Sequence, residues 1–209
     1  MTLPGTDEQI EMFGRMALAL SELESCREFS LLIPEVRTNI VYAAPEAEIP
    51  AEVLAVDGRI TLVSGMPQAA GRIRFGVSGH LARLVISLRK TSPSARAAID
   101  FANPPGFLPW LRRYCQSREW ILVTIDRKDE PGETRMREGA SMSWKAFEAV
   151  LAAGGVVPDI ICDAGGPGKE PVCVIIGKEP LGIAQDLCGI AREYADTGKG
   201  AILSGFQFS

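Results

Sequence analysis

The sequence predicts an α/β protein in one domain, with helices packed on a mixed sheet. Short β-branched runs at 39–44, 121–125 and 172–176 are interleaved with segments of helical apolar spacing at 10–20, 81–88 and 144–153. Several strands are joined only by tight Gly-bearing turns, and no regular βαβ repeat is present, so Rossmann and TIM-barrel topologies fit poorly. The 209 residues suffice for one sizeable core.

In chain order, Thr6 or Asp7 caps a helix to about Leu23, with Ile10, Phe13, Met16 or Ala17, and Leu20 on its inner face. Residues 31–35 lead into a strand at 39–44, closed by Pro45. A strand at 53–56, a tight turn at Asp57-Gly58 and a returning strand at 59–63 read as a hairpin. After a loop through Gly65-Met66-Pro67, residues 72–77 form a strand, and Ser78-Gly79-His80 opens a helix over about 81–90. Residues 94–101 read as a second helix, stopped by Asn103-Pro104-Pro105-Gly106, and 107–117 as a third. The strand 121–125 ends at Asp126-Arg127, and a polar loop spans 128–139. Ser143 caps a helix over 144–153, ended by Gly154-Gly155. Two apolar strands, 156–162 and 172–176, flank the glycine-rich stretch 163–171, and Pro180 precedes a last helix over 181–194.

The net charge is −4, so nothing global points to nucleic acid or an anionic membrane, and cations for an anionic ligand must be gathered locally. Five cysteines without a C-x-x-C pair, and one histidine, argue against a Cys/His zinc site. All five read as unpaired thiols of a reducing compartment. The acidic N-terminal stretch lacks the basic start of a signal peptide, and no apolar run approaches a membrane span, so a cytoplasmic protein is expected.

Five stretches can carry chemistry. In Asp163-Ala164-Gly165-Gly166-Pro167-Gly168-Lys169-Glu170-Pro171, glycines let backbone N–H groups face an anion and Lys169 adds a charge; the plain alternative is a solvated turn. Glu35 and Asn39 can hold a polar ring or metal, or merely cap a turn. Arg59 follows Asp-Gly and is an anion partner or a surface ion-pair residue. Ser78-Gly79-His80 at a helix start offers N–H groups and an acid, base or donor, with Arg83 one turn on, unless His80 is structural. Asp126-Arg127 ends a strand, where sites of α/β proteins gather, or forms a routine surface pair.

Taken in order, Ile33-Pro34-Glu35-Val36, Asn39-Ile40-Val41-Tyr42-Ala43, Asp57-Gly58-Arg59-Ile60, 75–83, Asp126-Arg127 and Pro158 to Pro171 resemble the ThiN-type thiamine-phosphate synthases over about 31–194, with residues 1–30 as an N-terminal helix packed on that domain. The resemblance implies a three-layer α/β/α fold of the class II aldolase-like (AraD-like) type. It implies condensation of hydroxymethylpyrimidine diphosphate with hydroxyethylthiazole phosphate to thiamine phosphate and pyrophosphate. The catalytic positions fall on Arg59 and His80. Substrate and phosphate contacts are expected from Glu35, Asn39, Ser78, Gly79, Arg83, Asp126, Arg127, Asp163, Gly165, Gly166, Gly168, Lys169 and Glu170, and Mg2+ is the expected cofactor, its ligands unassigned. Ala164 departs from the family, which usually carries a basic residue there. The expected partners are the two small phosphorylated molecules and a separate hydroxymethylpyrimidine kinase as supplier; the oligomeric state stays open, a homodimer included. The alternative is a non-catalytic domain of the same fold that senses thiamine phosphates.

Overall fold

The computed structural model describes residues 6–136, 139–166 and 170–198. Seven strands form one sheet: β1 (Ile40–Ala43), β2 (Val53–Val56), β5 (Ile73–Phe75), β6 (Ala97–Ala102), β7 (Leu122–Ile125), β8 (Ile160–Asp163) and β9 (Val172–Gly177), in the order β5-β2-β1-β6-β9-β8-β7. Only β7 and β8 run parallel, as expected where a helix lies between them; the other neighbours are antiparallel, so the sheet is mixed. Two further strands, β3 (Ile60–Val63) and β4 (Met66–Ala69), make a separate hairpin.

Side chains alternate across the strands and build an apolar core on each face. Ile40, Tyr42, Leu54, Ile99, Phe101 and Ile175 pack on one side with α1 (Asp7–Ser25), α3 (Phe107–Ser117) and α6 (Pro180–Asp196). Val41, Ala55, Ala98, Ile161 and Val174 pack on the other with α2 (His80–Arg89) and α5 (Ala140–Ala152). Thr6 caps α1 through a reciprocal pair with Gln9, satisfying two N-terminal donors. The buried stripe of α1 is Met12, Met16, Ala19 and Leu23, turned from the expected one; Ile10 is 60% exposed.

Five expectations are corrected. Residues 94–101 hold the central strand β6, not a helix: its alanines fit tightly between β1 and β9, and burial on both faces overrides their helical preference. Asp57-Gly58 does not close a hairpin, because β3 leaves β2 and pairs with β4 through the left-handed Ser64-Gly65 turn. Helix α5 starts after Gly139 rather than at Ser143, and the expected loop at 128–139 contains the short helix α4 (Gly132–Met136). Cys162 and Cys173 lie directly opposite each other on β8 and β9, their Cα atoms 4.0 Å apart, and form a disulfide; the other three cysteines are free and buried. Sequence spacing alone could not reveal that register.

The turn leaving β2 is held by close backbone packing: a Cβ on Gly71 would stand 2.4 Å from the Asp57 carbonyl oxygen. Gly71→Ala therefore has to move backbone, and a loss of about 1–3 kcal/mol in urea unfolding is expected; wild-type stability would show that the turn yields freely.

Candidate functional site

The site begins at the splayed end of the β1–β2 pair. The Asn39 side chain stands in for a missing strand partner: its Oδ1 accepts the N–H of Val56 at 3.1 Å and of Ile40 at 2.9 Å, and its Nδ2 donates to the Val56 carbonyl at 3.1 Å. This buried amide holds the last residue of β2, from which Asp57-Gly58-Arg59 emerges. Thr38 and Ile60 then exchange two backbone hydrogen bonds, tying the β3–β4 hairpin to the segment ahead of β1. Gly58 and Arg59 both have left-handed backbone, with φ of 78° and 71°. The Arg59 guanidinium donates to the Val36 carbonyl.

A cleft of about 350 Å³ opens here, lined by Val36, Arg37, Asn39, Val56, Gly58, Arg59, Val77, Ser78, Gly79, His80, Leu81 and Asp100. It brings together Asn39, Arg59, Ser78, Gly79 and His80 from widely separated parts of the sequence. His80 is the first residue of α2, whose N-cap Gly79 makes no side-chain cap, so the helix start presents backbone N–H groups at the cleft.

A larger adjoining groove of about 840 Å³ takes in Glu35, Ala164 and Glu170 with Leu31, Ile33, Leu62 and Leu108. Arg37 lines both hollows. The Glu170 carboxylate accepts the N–H groups of Glu35 at 3.0 Å and Val36 at 3.2 Å, so the end of the glycine stretch grips the same segment that Arg59 grips from the other side. Ala164, Glu170 and Pro171 of the glycine stretch line the groove, and Arg59 lines the cleft. Gly168 and Lys169 lie outside the described residues.

The remaining expected site residues stand elsewhere. Asp163, at the end of β8, is buried, and its Oδ2 pairs with Arg127 at 2.7 Å and with Lys145 of α5 at 3.2 Å, while Oδ1 accepts the Gly165 N–H at 2.9 Å. Arg127 also reaches Glu130 and Ser141. Gly165 has φ 74°, and Gly166 lies over the Arg127 side chain. Asp126 caps a turn by accepting the Lys128 N–H at 2.9 Å. Arg83 lines a separate depression with Trp144 and Phe147, and its guanidinium lies against both Gly139 at the start of α5 and the cleft-lining Gly79.

Burial pushes the Asp163 carboxyl upward, but the facing Lys145 and Arg127 charges prevail and hold it below the usual carboxylate range. Burial lowers Lys145, against the pull of Asp163. Sequence reading missed Lys145, Arg37 and Asp100. Lys145 had a signal, since it shares a helical stripe with Met142, Ala146 and Ala149.

Known proteins resemble the chain throughout this region. The family profile described as thiamine-phosphate synthase ThiN matches residues 15–188. The thiamine-phosphate synthase ThiN of Methanothermobacter thermautotrophicus is 35% identical over 176 residues, 84% of this chain and 90% of that protein. The bifunctional thiamine biosynthesis protein ThiDN of Methanocaldococcus jannaschii is 32% identical over 164 residues, 78% of this chain but 37% of that protein. Among solved structures, the C-terminal domain of a phosphomethylpyrimidine kinase superposes with a TM-score of 0.80 at 31% identity, covering 88% of this chain and all (100%) of that domain.

Removing the Asp163 charge takes away the carboxylate that both Arg127 and Lys145 face, although Arg127 keeps its contact with the buried Glu130 at 3.4 Å. Asp163→Asn is expected to cost about 3–5 kcal/mol in urea unfolding, more than Lys145→Met, which leaves the Arg127 pair in place. Because the native Asp163 value is depressed, its contribution is present above the unfolded-state value and disappears as pH falls through the native one. The gap between wild type and Asp163→Asn should accordingly close in acid; equal costs for both variants would refute this ranking.

Proposed function

From the premise that the chain belongs to the thiamine-phosphate synthase ThiN family, we propose that it joins hydroxymethylpyrimidine diphosphate to hydroxyethylthiazole phosphate, releasing pyrophosphate. The observation that carries this reading is the single cleft lined by both Arg59 and His80, with Arg37 continuing into the larger groove. Two phosphorylated substrates need adjoining hollows with cations between them. We also read the architecture as the three-layer α/β/α class II aldolase-like type, since the sheet carries a helix-covered core on each face.

The reaction breaks the bond between the pyrimidine methylene carbon and the diphosphate oxygen, the electron pair leaving on oxygen. The thiazole nitrogen lone pair forms the new carbon–nitrogen bond, and no proton is lost. Charge therefore develops on the leaving diphosphate, and preorganised donors there lower the barrier. Arg59 and Arg37 supply fixed cations, and the α2 N-terminus supplies N–H groups. His80 donates to a phosphate oxygen or to the pyrimidine. Ser78 and Gly79 shape this turn, and Gly165, Gly166, Gly168 and Lys169 are assigned to the phosphate of the second substrate. Asn39, Asp126, Arg127 and Asp163 support the walls through the bonds described above, and Arg83 sets the α2–α5 packing. The larger, more apolar groove is assigned to the thiazole.

Among the described residues no three Asp, Glu, His or Cys side chains are grouped to hold a metal. Mg2+ on a diphosphate needs only one or two protein carboxylates, however, and Glu35, next in sequence to the cleft-lining Val36, suits that role. When bound, the ion would neutralise charge on the departing diphosphate. A kinase is the natural supplier of the pyrimidine diphosphate; the M. jannaschii relative is bifunctional, and the superposed domain comes from a phosphomethylpyrimidine kinase. No described helix is long and apolar enough to cross a membrane.

The test is thiamine phosphate formation from both precursors with Mg2+. Arg59→Gly removes the guanidinium and suits the left-handed backbone, so turnover should fall about 100-fold or more while the urea midpoint holds or rises. His80→Ala should lose activity comparably. Near-native rates in both variants would overturn the assignment, and tight binding of thiamine diphosphate by an inactive wild type would favour a sensor.

A further inference from the structure

Asp100 stands at the floor of the cleft, on β6 beside the Asn39 end of β1. Its Oδ1 accepts the Asn39 N–H at 2.5 Å, and no described residue bonds its Oδ2. Arg59 and Lys145 act on it only at a distance; Lys145 is committed to Asp163. If the position served only to accept the Asn39 N–H, a neutral side chain would do so without the cost of enclosing a charge. Burial pushes the carboxyl up to about 6, so it is ready to hold or release a proton in contact with a ligand. Around it, Val77 and the edge of Leu81 offer apolar surface to a flat ring, whereas Arg37 and Arg59 supply the cations for phosphate.

We propose that Asp100 is the specificity residue for the aminopyrimidine, its Oδ2 accepting a hydrogen bond from the exocyclic amine. As the carbon–oxygen bond breaks, the ring shares the growing positive charge and its amine becomes a stronger donor, which tightens this contact. The assignment rests on the synthase reading.

The experiment measures, by calorimetry, binding of three probes to the purified chain: inorganic pyrophosphate, 4-amino-5-hydroxymethyl-2-methylpyrimidine diphosphate, and its 4-oxo counterpart. Wild type should prefer the amino over the oxo compound by about tenfold or more, because the oxo form sets an acceptor against the carboxylate. Asp100→Asn keeps an oxygen for the Asn39 N–H but offers an amide, so the preference should vanish or reverse, with pyrophosphate affinity unchanged within about twofold. A retained preference in the variant, or equal weakening of all three probes, overturns the Asp100 assignment and leaves the synthase reading standing. Should the variant fail to fold, wild type decides: equal affinity for the amino and oxo compounds overturns the assignment, and a preference for the amino compound supports it. A wild type that binds neither pyrimidine overturns both readings.

Discussion

The cleft depends on one buried amide. Where β1 and β2 separate, the Asn39 side chain accepts the Val56 N–H and gives the Val56 carbonyl a second donor beside the Arg59 N–H. Three consequences follow from this bond set. The last residue of β2 is fixed, so the Asp57-Gly58-Arg59 turn leaves it in a defined direction. The Asn39 N–H points at Asp100 and orients its carboxyl. The Val36-Arg37 segment just before it is presented to Arg59 on one side and Glu170 on the other. An aspartate could accept the same N–H groups but could not donate to the Val56 carbonyl, so an amide suits the position better than a carboxylate.

A second constraint separates cations that build the scaffold from cations that can meet a ligand. Arg127 and Lys145 spend their charge on Asp163 in a nearly water-free pocket under the glycine stretch. A buried ion set of this kind adds little net stability but is costly to break, which favours a unique loop position over a firm one. Arg37 and Arg59 are exposed, and among the described residues Arg59 is tethered through a neutral carbonyl. Its full charge remains available. In a chain of net charge −4, such local sorting is how a polyanion can be accommodated.

Much of this was legible in the sequence, and the failures have physical causes. Arg59 and His80 could be found because each sits beside glycine at an abrupt change of pattern, a strand giving way to a turn or helix. The strands flanking the glycine stretch were legible from their β-branched runs. Residues 97–102 were not: alanine favours helices in isolation, and only the tight space between β1 and β9 makes it a strand residue. That misreading also hid Asp100, which on a helix would have passed for an exposed charge. The Cys162–Cys173 bond was hidden for a related reason, since two thiols in apolar runs look inert until register sets them opposite. Arg127 had the right position for a phosphate partner, but which partner a strand-end arginine takes is decided in three dimensions.

Backbone strain gives an independent indication of where the chain is under functional demand. Four described residues other than glycine have positive φ: Arg37, Arg59, Ser64 and Glu119. Ser64 is in a hairpin turn and Glu119 follows the end of α3, places where such conformations recur. Arg37 and Arg59 instead flank one cleft, at φ of 69° and 71°. Glycine would adopt either conformation without the roughly 1 kcal/mol that a side chain adds there. These two arginines keep that backbone state on segments held by the Thr38–Ile60 pair and the Asn39 amide, which is what the proposed role of the guanidinium groups at those points requires. Both arginines line the cleft, and Arg37 lines the groove as well, so a neutral, relaxed turn at either point would strip the cleft of a cation.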